Sequence, residues 1–123
     1  MRLGIIRRIV KEIRGKFGGD SMIVVLTTYP DSKNARMAAR EIVSRKLAAC
    51  ASIINIEESY YRWEGRLERQ PEFMLLIKTT KTAYPKLEKF IKKSHPHKVP
   101  EIIWLDVKGG LVEYLAWVQA NSG

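Results

Sequence analysis

The sequence contains two histidines, His95 and His97, separated by a single proline. A proline disfavours helical backbone in the residue before it, so two imidazoles at this spacing can converge on one metal ion. Because imidazole and thiolate suit zinc and copper, the single cysteine, Cys50, is a candidate third donor. Each residue also has a structural alternative, since histidines near a helix end bond carbonyls and a free cysteine packs as a small apolar residue. These residues alone therefore leave a zinc or copper site open as one interpretation, while they favour core packing for Cys50 and leave the bonding of helix-end carbonyls as the alternative for the histidines.

A second cluster combines aromatic and basic side chains, with Tyr60, Tyr61 and Trp63 next to Arg62 and Arg66. Such a mixture can bind single-stranded nucleic acid by stacking, and it is also typical of protein–protein contact sites. Four glutamates lie in the same stretch, between residues 57 and 68, and would repel phosphates. We therefore favour a subunit interface over a specific nucleic-acid site.

The sequence carries no motif of an enzyme active site. It has no glycine-rich loop of the P-loop or dinucleotide type, and no serine or cysteine lies in a nucleophile elbow. A catalytic triad would depend on one of only two histidines. We expect a non-enzymatic protein without an organic cofactor.

Length and composition indicate a single domain. A chain of 123 residues with 46% hydrophobic and 28% charged residues can bury a core. No apolar stretch approaches the ~18 residues of a membrane-spanning helix, and one cysteine excludes an intrachain disulfide. The net charge of +9 favours non-specific attraction to anionic surfaces.

Part of that charge lies in residues 1–21, which we separate from a domain spanning residues 22–123. Apolar residues recur at helical spacing in this segment, and a Gly-Gly pair at 18–19 follows them, which predicts a basic amphipathic helix. We interpret it as a peripheral helix on its own domain or as an extension upstream of Met22. The alternative is contact with an anionic membrane or a partner; otherwise no membrane contact is expected.

The elements that must position these residues follow from the apolar pattern after residue 21. The predicted elements are a strand at 22–28, a helix at 32–47 capped by Asp31 or Ser32, strands at 49–62 and 66–80, a helix capped by Thr82 with Pro85 in its first turn, a strand at 102–105, and a last helix that buries Leu111, Tyr114, Leu115 and Val118. This order predicts an α+β, ferredoxin-like βαββαβ sandwich with a C-terminal helix. Pro71 should interrupt the strand pairing or lie at an edge.

The predicted hairpin strands are far longer than the ~5–6 residues typical of strands. A domain this small cannot cover both strands by itself, so the hairpin should extend beyond it and pair with neighbouring subunits. The sequence therefore predicts an oligomer.

Six short blocks occur in a fixed order along the chain. They are residues 27–31 (TTYPD), 46–51 (KLAACA), 59–65 (SYYRWEG), 77–80 (IKTT), 95–101 (HPHKVPE) and 114–117 (YLAW). In this order they resemble the CutA family of divalent-cation tolerance proteins, over about residues 22–121.

The resemblance implies a cytoplasmic homotrimer that is joined through its long hairpins and binds divalent cations, copper above all. It places the site in a cleft between subunits. The residues that the resemblance places in this cleft are Cys50, Tyr61, Trp63, Lys78, His95, Glu101 and Trp117. Among them, His95 is the first candidate metal ligand, with Cys50 and Glu101 as further candidates. His97 is a candidate from its own spacing rather than from the resemblance. Because the assembly resembles the PII signal-transduction trimers, the alternative is a regulatory trimer that binds a small metabolite or a partner protein in this cleft.

The sequence departs from the family pattern near the proposed ligands. His97 and Lys98 follow His95-Pro96 where relatives commonly have a tyrosine and an acidic or polar residue. His97 adds a donor, whereas Lys98 would repel a cation. Thr27 and Ser94 replace a cysteine and a histidine found in some members, which weakens any copper site that needs those donors.

Overall fold

The computed structural model describes residues 21–123, and the helix predicted in residues 1–21 lies outside them apart from Ser21. Within the described residues, the elements in chain order are β1 (Met22–Tyr29), α1 (Ser32–Ser44), β2 (Cys50–Trp63), β3 (Arg66–Thr80), α2 (Tyr84–Ser94), β4 (Ile102–Asp106) and α3 (Val112–Ala120). The predicted order of elements is confirmed, with shifts of a few residues at their ends.

The four strands form one antiparallel sheet in the order β2-β3-β1-β4. Helix α1 connects β1 to β2, and β3 lies between these two strands in the sheet. This arrangement is the split βαβ of the ferredoxin-like fold, so the predicted α+β class is confirmed.

Alternate residues of β1 point to opposite faces of the sheet, and each face has its own helices. Ile23 and Val25 lie in the main core beneath α1 and α2. The other buried residues of this core are Tyr29, Ala35, Ala38, Ile42, Ala48, Leu75, Ile77, Leu87 and Ile91. On the opposite face, Met22 and Ala49 pack against Val118 of α3.

The two longer helices begin differently. Asp31 caps α1 as predicted, because its carboxylate accepts the backbone N–H of Asn34 at 2.8 Å. At α2 the N-cap position is Ala83 rather than the predicted Thr82. The backbone N–H of Ala83 donates to Thr80 Oγ1 at 3.2 Å, and Pro85 lies in the first turn as predicted.

The hairpin of β2 and β3 contains 14 and 15 residues, respectively. Ile56 pairs with Glu72 and Ser59 pairs with Gln70, so two residues of β2 face Pro71 alone. Proline cannot donate to the ladder, and a β-bulge accommodates it here. The predicted interruption at Pro71 is confirmed.

Helix α3 covers less of the sheet than the sequence pattern predicted. Val118 is buried and Leu115 is half-buried, but Leu111 is 71% exposed and Tyr114 is 37% exposed in the single chain. The prediction that all four are buried was therefore wrong for Leu111 and Tyr114. The reason is that α3 has nine residues and lies over one end of the sheet.

No helix within residues 21–123 has the length and apolar character needed to span a membrane.

Candidate functional site

His95 lies immediately after α2, where its extended backbone turns the side chain back against the end of β1. Its Nε2 lies 2.7 Å from the carbonyl oxygen of Thr28, and its Nδ1 accepts the backbone N–H of His97 at 3.0 Å. Because Nδ1 accepts a hydrogen bond, the proton of the neutral ring belongs on Nε2, which donates a hydrogen bond to the carbonyl oxygen of Thr28. Both ring nitrogens of His95 are therefore engaged by protein groups.

The electrostatic surroundings of His95 favour the same neutral form. Burial lowers the pKa of its imidazole; the hydrogen bond to Thr28 opposes this shift, and the neighbouring His97 reinforces it. The ring also stacks on Tyr29, with the ring centroids 4.4 Å apart. These contacts make His95 a buried group that ties the segment after α2 to β1.

His97 and Glu101 are exposed and lie on the same connecting segment, between α2 and β4. The His97 ring lies 5.3 Å from the His95 ring, and its backbone N–H is fixed by His95 Nδ1. Three of the four predicted metal ligands thus belong to one stretch of seven residues. His97 is the histidine of this stretch that solvent can reach.

Cys50 lies elsewhere in the sheet. It pairs with Lys78 of β3, and Lys78 pairs with Val24 of β1, four residues before Thr28. At ~3.3 Å per residue, Cys50 is about 13 Å from Thr28 along the strands, and it is two strands away. Cys50 and His95 of one chain cannot share an ion, since zinc–ligand distances are ~2.0–2.3 Å. In residues 21–123, no three His, Cys, Asp or Glu side chains are grouped to hold a metal.

Cys50 instead belongs to a cluster around Lys78. Lys78 Nζ lies 5.5 Å from the ring centroid of Tyr114, and Tyr114 stacks on Trp117 with centroids 5.7 Å apart. A hydrogen bond with Tyr114 raises the pKa of the Lys78 amine, and Cys50 adds to the shift. The structure therefore brings together three predicted residues, Cys50, Lys78 and Trp117.

Tyr114 is the member of this cluster that the sequence argument missed as a site residue. Its apolar neighbours in α3 led to a core assignment. Its spacing of three residues from Trp117 was the available signal, because residues three apart share a helix face.

The remaining cleft residues, Tyr61 and Trp63, lie at the far end of the hairpin. Tyr61 pairs with Glu68, ten positions from Lys78 along β3, or roughly 33 Å. Both aromatic side chains are exposed. Within one chain, the predicted cleft residues therefore form two separate groups, the aromatic residues at the end of the hairpin and the cluster around Lys78.

Comparisons with known proteins show sequence similarity over most of the chain. The sequence matches the family described as CutA1 divalent ion tolerance protein over residues 23–121. It is 44% identical over 100 residues to the divalent-cation tolerance protein CutA of Thermus thermophilus, covering 81% of this chain and 97% of that protein.

Solved structures show the same likeness. A divalent cation tolerance protein (Cut A1) from Thermus thermophilus superimposes with a TM-score of 0.80 at 43% identity, over 83% of this chain and 99% of the other. CutA1 from Oryza sativa does so with a TM-score of 0.81 at 38% identity, over 84% and 94%. By sequence and by fold, the chain belongs to the CutA1 divalent ion tolerance protein family.

Proposed function

We propose that the protein is a non-enzymatic, cytoplasmic homotrimer that binds divalent cations such as copper or zinc. The observation that supports a trimer is an apolar face of the sheet that the rest of the chain does not cover. The relatives named as divalent-cation tolerance proteins support the cation.

The uncovered face lies beside α3, on the side of the sheet away from α1 and α2. The residues that share this face beyond the reach of α3 are Leu26, Ile54, Met74, Leu76, Ile103 and Leu105. Ile54, Ile103 and Leu105 are 43%, 49% and 56% exposed in the single chain. Exposed apolar patches of this kind mark protein–protein contacts, and a second and third copy of the chain would cover this one.

The edges of the sheet support the same assembly. Strands β2 and β4 are the outer strands, and an outer strand presents unpaired backbone groups that can pair with another chain. The hairpin carries exposed aromatic side chains, Tyr60, Tyr61 and Trp63, at its end. Such side chains dominate the binding energy of many interfaces. In a trimer, the hairpin of one subunit would bring Tyr61 and Trp63 to a neighbour.

For the cation, His97 is the imidazole that we propose as the first donor. His95 could act as a ligand only by giving up its hydrogen bond to Thr28 or to the His97 backbone. His97 is exposed, and its backbone is held by His95. Glu101 on the same segment, or donors of a neighbouring subunit, would complete the coordination.

The cation hypothesis is tested by calorimetric titration of the full chain with Zn²⁺ and with Cu²⁺. We expect His97→Gln to weaken binding at least tenfold, because loss of even an outer-shell partner of a metal ligand costs about 10–100-fold in affinity. The matched control is Lys98→Gln, which removes a positive charge from the same segment and should leave binding unchanged or slightly stronger. Equal affinities for the protein and its His97→Gln variant would exclude His97 as a ligand.

The cluster around Lys78 supports a second candidate function, a PII-like regulatory trimer. A lysine cation beside two stacked aromatic rings suits an anionic ligand with a planar group. Cys50, Lys78 and Trp117 lie together, and a neighbouring hairpin would add Tyr61 and Trp63. In this alternative, the cleft binds a small metabolite or a loop of a partner protein.

A further inference from the structure

The positive charge of the chain is concentrated on two helices and on the segment before β1. Residues 32–46, which contain α1 and the turn after it, and residues 84–94, which form α2, together hold nine basic and two acidic residues. Residues 1–20 hold six basic and two acidic residues. The rest of the chain has seven basic and nine acidic residues. The net charge of +9 therefore comes entirely from these three stretches.

The basic side chains of the two helices point away from the sheet. Leu87 and Ile91 of α2 lie in the main core, and the residues on the other side of the helix are exposed. The exposed residues that define this basic helix surface are Arg36, Met37 and Arg40 on α1 and Lys89, Lys92 and Lys93 on α2. The surface lies on the side of the sheet opposite the uncovered apolar face, so the proposed trimer would leave it accessible.

The acidic groups of the two helices do not neutralise this surface. Glu41 accepts from Arg45 Nε at 2.8 Å, and Glu88 accepts the hydroxyl of Tyr84 at 2.6 Å. The ion pairs within residues 21–123 are Arg45–Glu41 and Lys81–Asp106, and neither includes a residue of the basic helix surface. Five cationic side chains of this surface therefore remain available to an anionic partner.

Residues 1–20 join the described structure beside the start of α2. The carbonyl oxygen of Ser21 accepts the backbone N–H of Lys81 at 3.1 Å, three residues before α2 begins at Tyr84. In the sequence of this segment, the apolar residues at helical spacing are Ile6, Ile9, Val10, Ile13 and Phe17. Because the segment and the basic helix surface carry the same charge, they disfavour contact with each other and suit one common anionic partner.

We propose that the basic helix surface and residues 1–20 together bind the surface of an anionic lipid bilayer. The lysines and arginines would contact the headgroups, where anionic lipids attract clustered basic residues. The apolar side of residues 1–20 and the side chain of Met37, which is 57% exposed, would enter the boundary between headgroups and acyl chains. Binding of this kind increases with buried apolar area and with electrostatic attraction, and the chain supplies both.

A bilayer fits these residues better than a nucleic acid does. The apolar residues at helical spacing in residues 1–20 have no counterpart on a phosphate backbone. Single-stranded nucleic acid is bound through stacking on aromatic side chains, but the aromatic residues of α1 and α2, Tyr84 and Phe90, are half-buried. Charge and apolar character occur together, as in proteins that lie on a membrane surface.

The test is cosedimentation of the full chain with vesicles of phosphatidylcholine that contain about 30% phosphatidylserine, compared with vesicles of phosphatidylcholine alone. We expect saturable binding to the anionic vesicles at about 0.1 M salt, and weaker binding at about 0.5 M salt because the charges are screened. Binding to pure phosphatidylcholine should be at least tenfold weaker. Equal binding to the two kinds of vesicle, or binding to neither, would overturn the proposal.

The variant that tests the helix surface is Lys89→Gln/Lys93→Gln. Glutamine and lysine have similar helix propensities, so these exposed positions should tolerate the change. A basic residue near an anionic membrane contributes about fivefold in affinity, so the double variant should bind roughly 30-fold more weakly. The matched control is Arg69→Gln/Lys108→Gln, which has the same net charge and changes exposed residues outside the two helices. Its affinity should fall less than threefold; an equal loss in both variants would reduce the effect to net charge and overturn the assigned surface.

The variant that tests the segment is Ile9→Ser/Ile13→Ser, which keeps every charge. It should bind anionic vesicles at least fivefold more weakly, because less apolar area enters the bilayer. Its affinity for a DNA duplex of about 20 base pairs, which depends on phosphate charge, should not change. Unchanged vesicle binding by this variant would overturn the role of residues 1–20. Tight duplex binding by a chain that does not bind the vesicles would identify a nucleic acid as the partner instead.

Discussion

The imidazole of His95 stacks on the ring of Tyr29, with centroids 4.4 Å apart and an interplanar angle of 29°. The same imidazole bonds the carbonyl of Thr28 and the backbone N–H of His97. One side chain thus joins the last residues of β1 to the segment that follows α2. This segment carries His97 and Glu101, so His95 sets the position of the proposed cation donors whether or not it binds a cation itself.

Replacing His95 should lower stability more than replacing His97. His95→Ala removes a buried ring and leaves the Thr28 carbonyl without its donor, so we expect a loss of about 2–3 kcal/mol in the free energy of unfolding. His97→Ala removes an exposed ring and should change it by less than about 0.5 kcal/mol. Urea unfolding at one fixed protein concentration measures both. Equal midpoints for the two variants would contradict the structural role of His95.

The helix cap at Asp31 should make stability depend on acid pH. The backbone N–H and side chain of Asn34 lower the pKa of this carboxyl below its usual 3.8. Since the folded-state pKa is the lower one, the contribution of Asp31 is present above pH ~4 and is lost as the pH falls through the folded-state value. Asp31→Ala should therefore be less stable than the protein at pH 7, and the difference should shrink towards pH 2.5.

The control for this prediction is Asp31→Ser, because serine caps a helix without a titrating charge. Its stability relative to Asp31→Ala should stay constant over the same pH range, as followed by thermal unfolding. A difference between Asp31→Ala and the protein that does not decrease as the pH falls from 4 to 2.5 would show that the ionised carboxylate is not what stabilises the start of the helix.

A charge placed on the uncovered sheet face should dissociate the proposed trimer. Ile103→Glu puts a carboxylate on this face, in the outer strand β4, and burying an unpaired charge is strongly unfavourable. Val43→Glu is the matched control, because Val43 is similarly exposed but lies on α1, outside the proposed interface. Light scattering coupled to size exclusion should show monomers for Ile103→Glu and trimers for Val43→Glu. A trimeric Ile103→Glu protein would remove this face from the interface.

The regulatory alternative predicts that an anionic aromatic probe binds through Lys78. We expect 8-anilinonaphthalene-1-sulfonate to bind the folded protein and to quench the fluorescence of Trp117. Lys78→Met should reduce its affinity roughly tenfold, since a charged hydrogen-bond donor is lost. Lys86→Met, at an exposed position on α2, is the control and should bind normally. Equal binding by both variants would argue against the Lys78 cluster as an anion site.

The sequence predicts the fold well because local signals agree with one another. The alternation in β1 places Ile23 and Val25 on one face, and Asp31 marks the start of α1. Pro71 marks the bulge, since its missing N–H excludes regular pairing. By contrast, the apolar pattern includes Leu111 and Tyr114, whose side chains are exposed in the single chain. A sequence pattern shows that a residue is apolar, but it does not show which chain covers it.

The site is less predictable than the fold, because it depends on distances across the sheet. Cys50 and His95 both suit a metal, yet the strand register places Cys50 two strands away and about 13 Å along the strands from Thr28, which His95 contacts. The sequence predicts His95 as a metal ligand, whereas in the structure both of its ring nitrogens form hydrogen bonds with backbone groups.

The central claim is that the protein is a cation-binding trimer, and native mass spectrometry of the full chain with and without Zn²⁺ or Cu²⁺ tests it most directly. We expect a species of about three times the 14.2 kDa chain mass, which gains about one metal ion per subunit and loses that gain in His97→Gln. A trimer that takes up no metal, or that carries an organic adduct, would contradict the cation claim and favour the regulatory alternative. A monomer would contradict both.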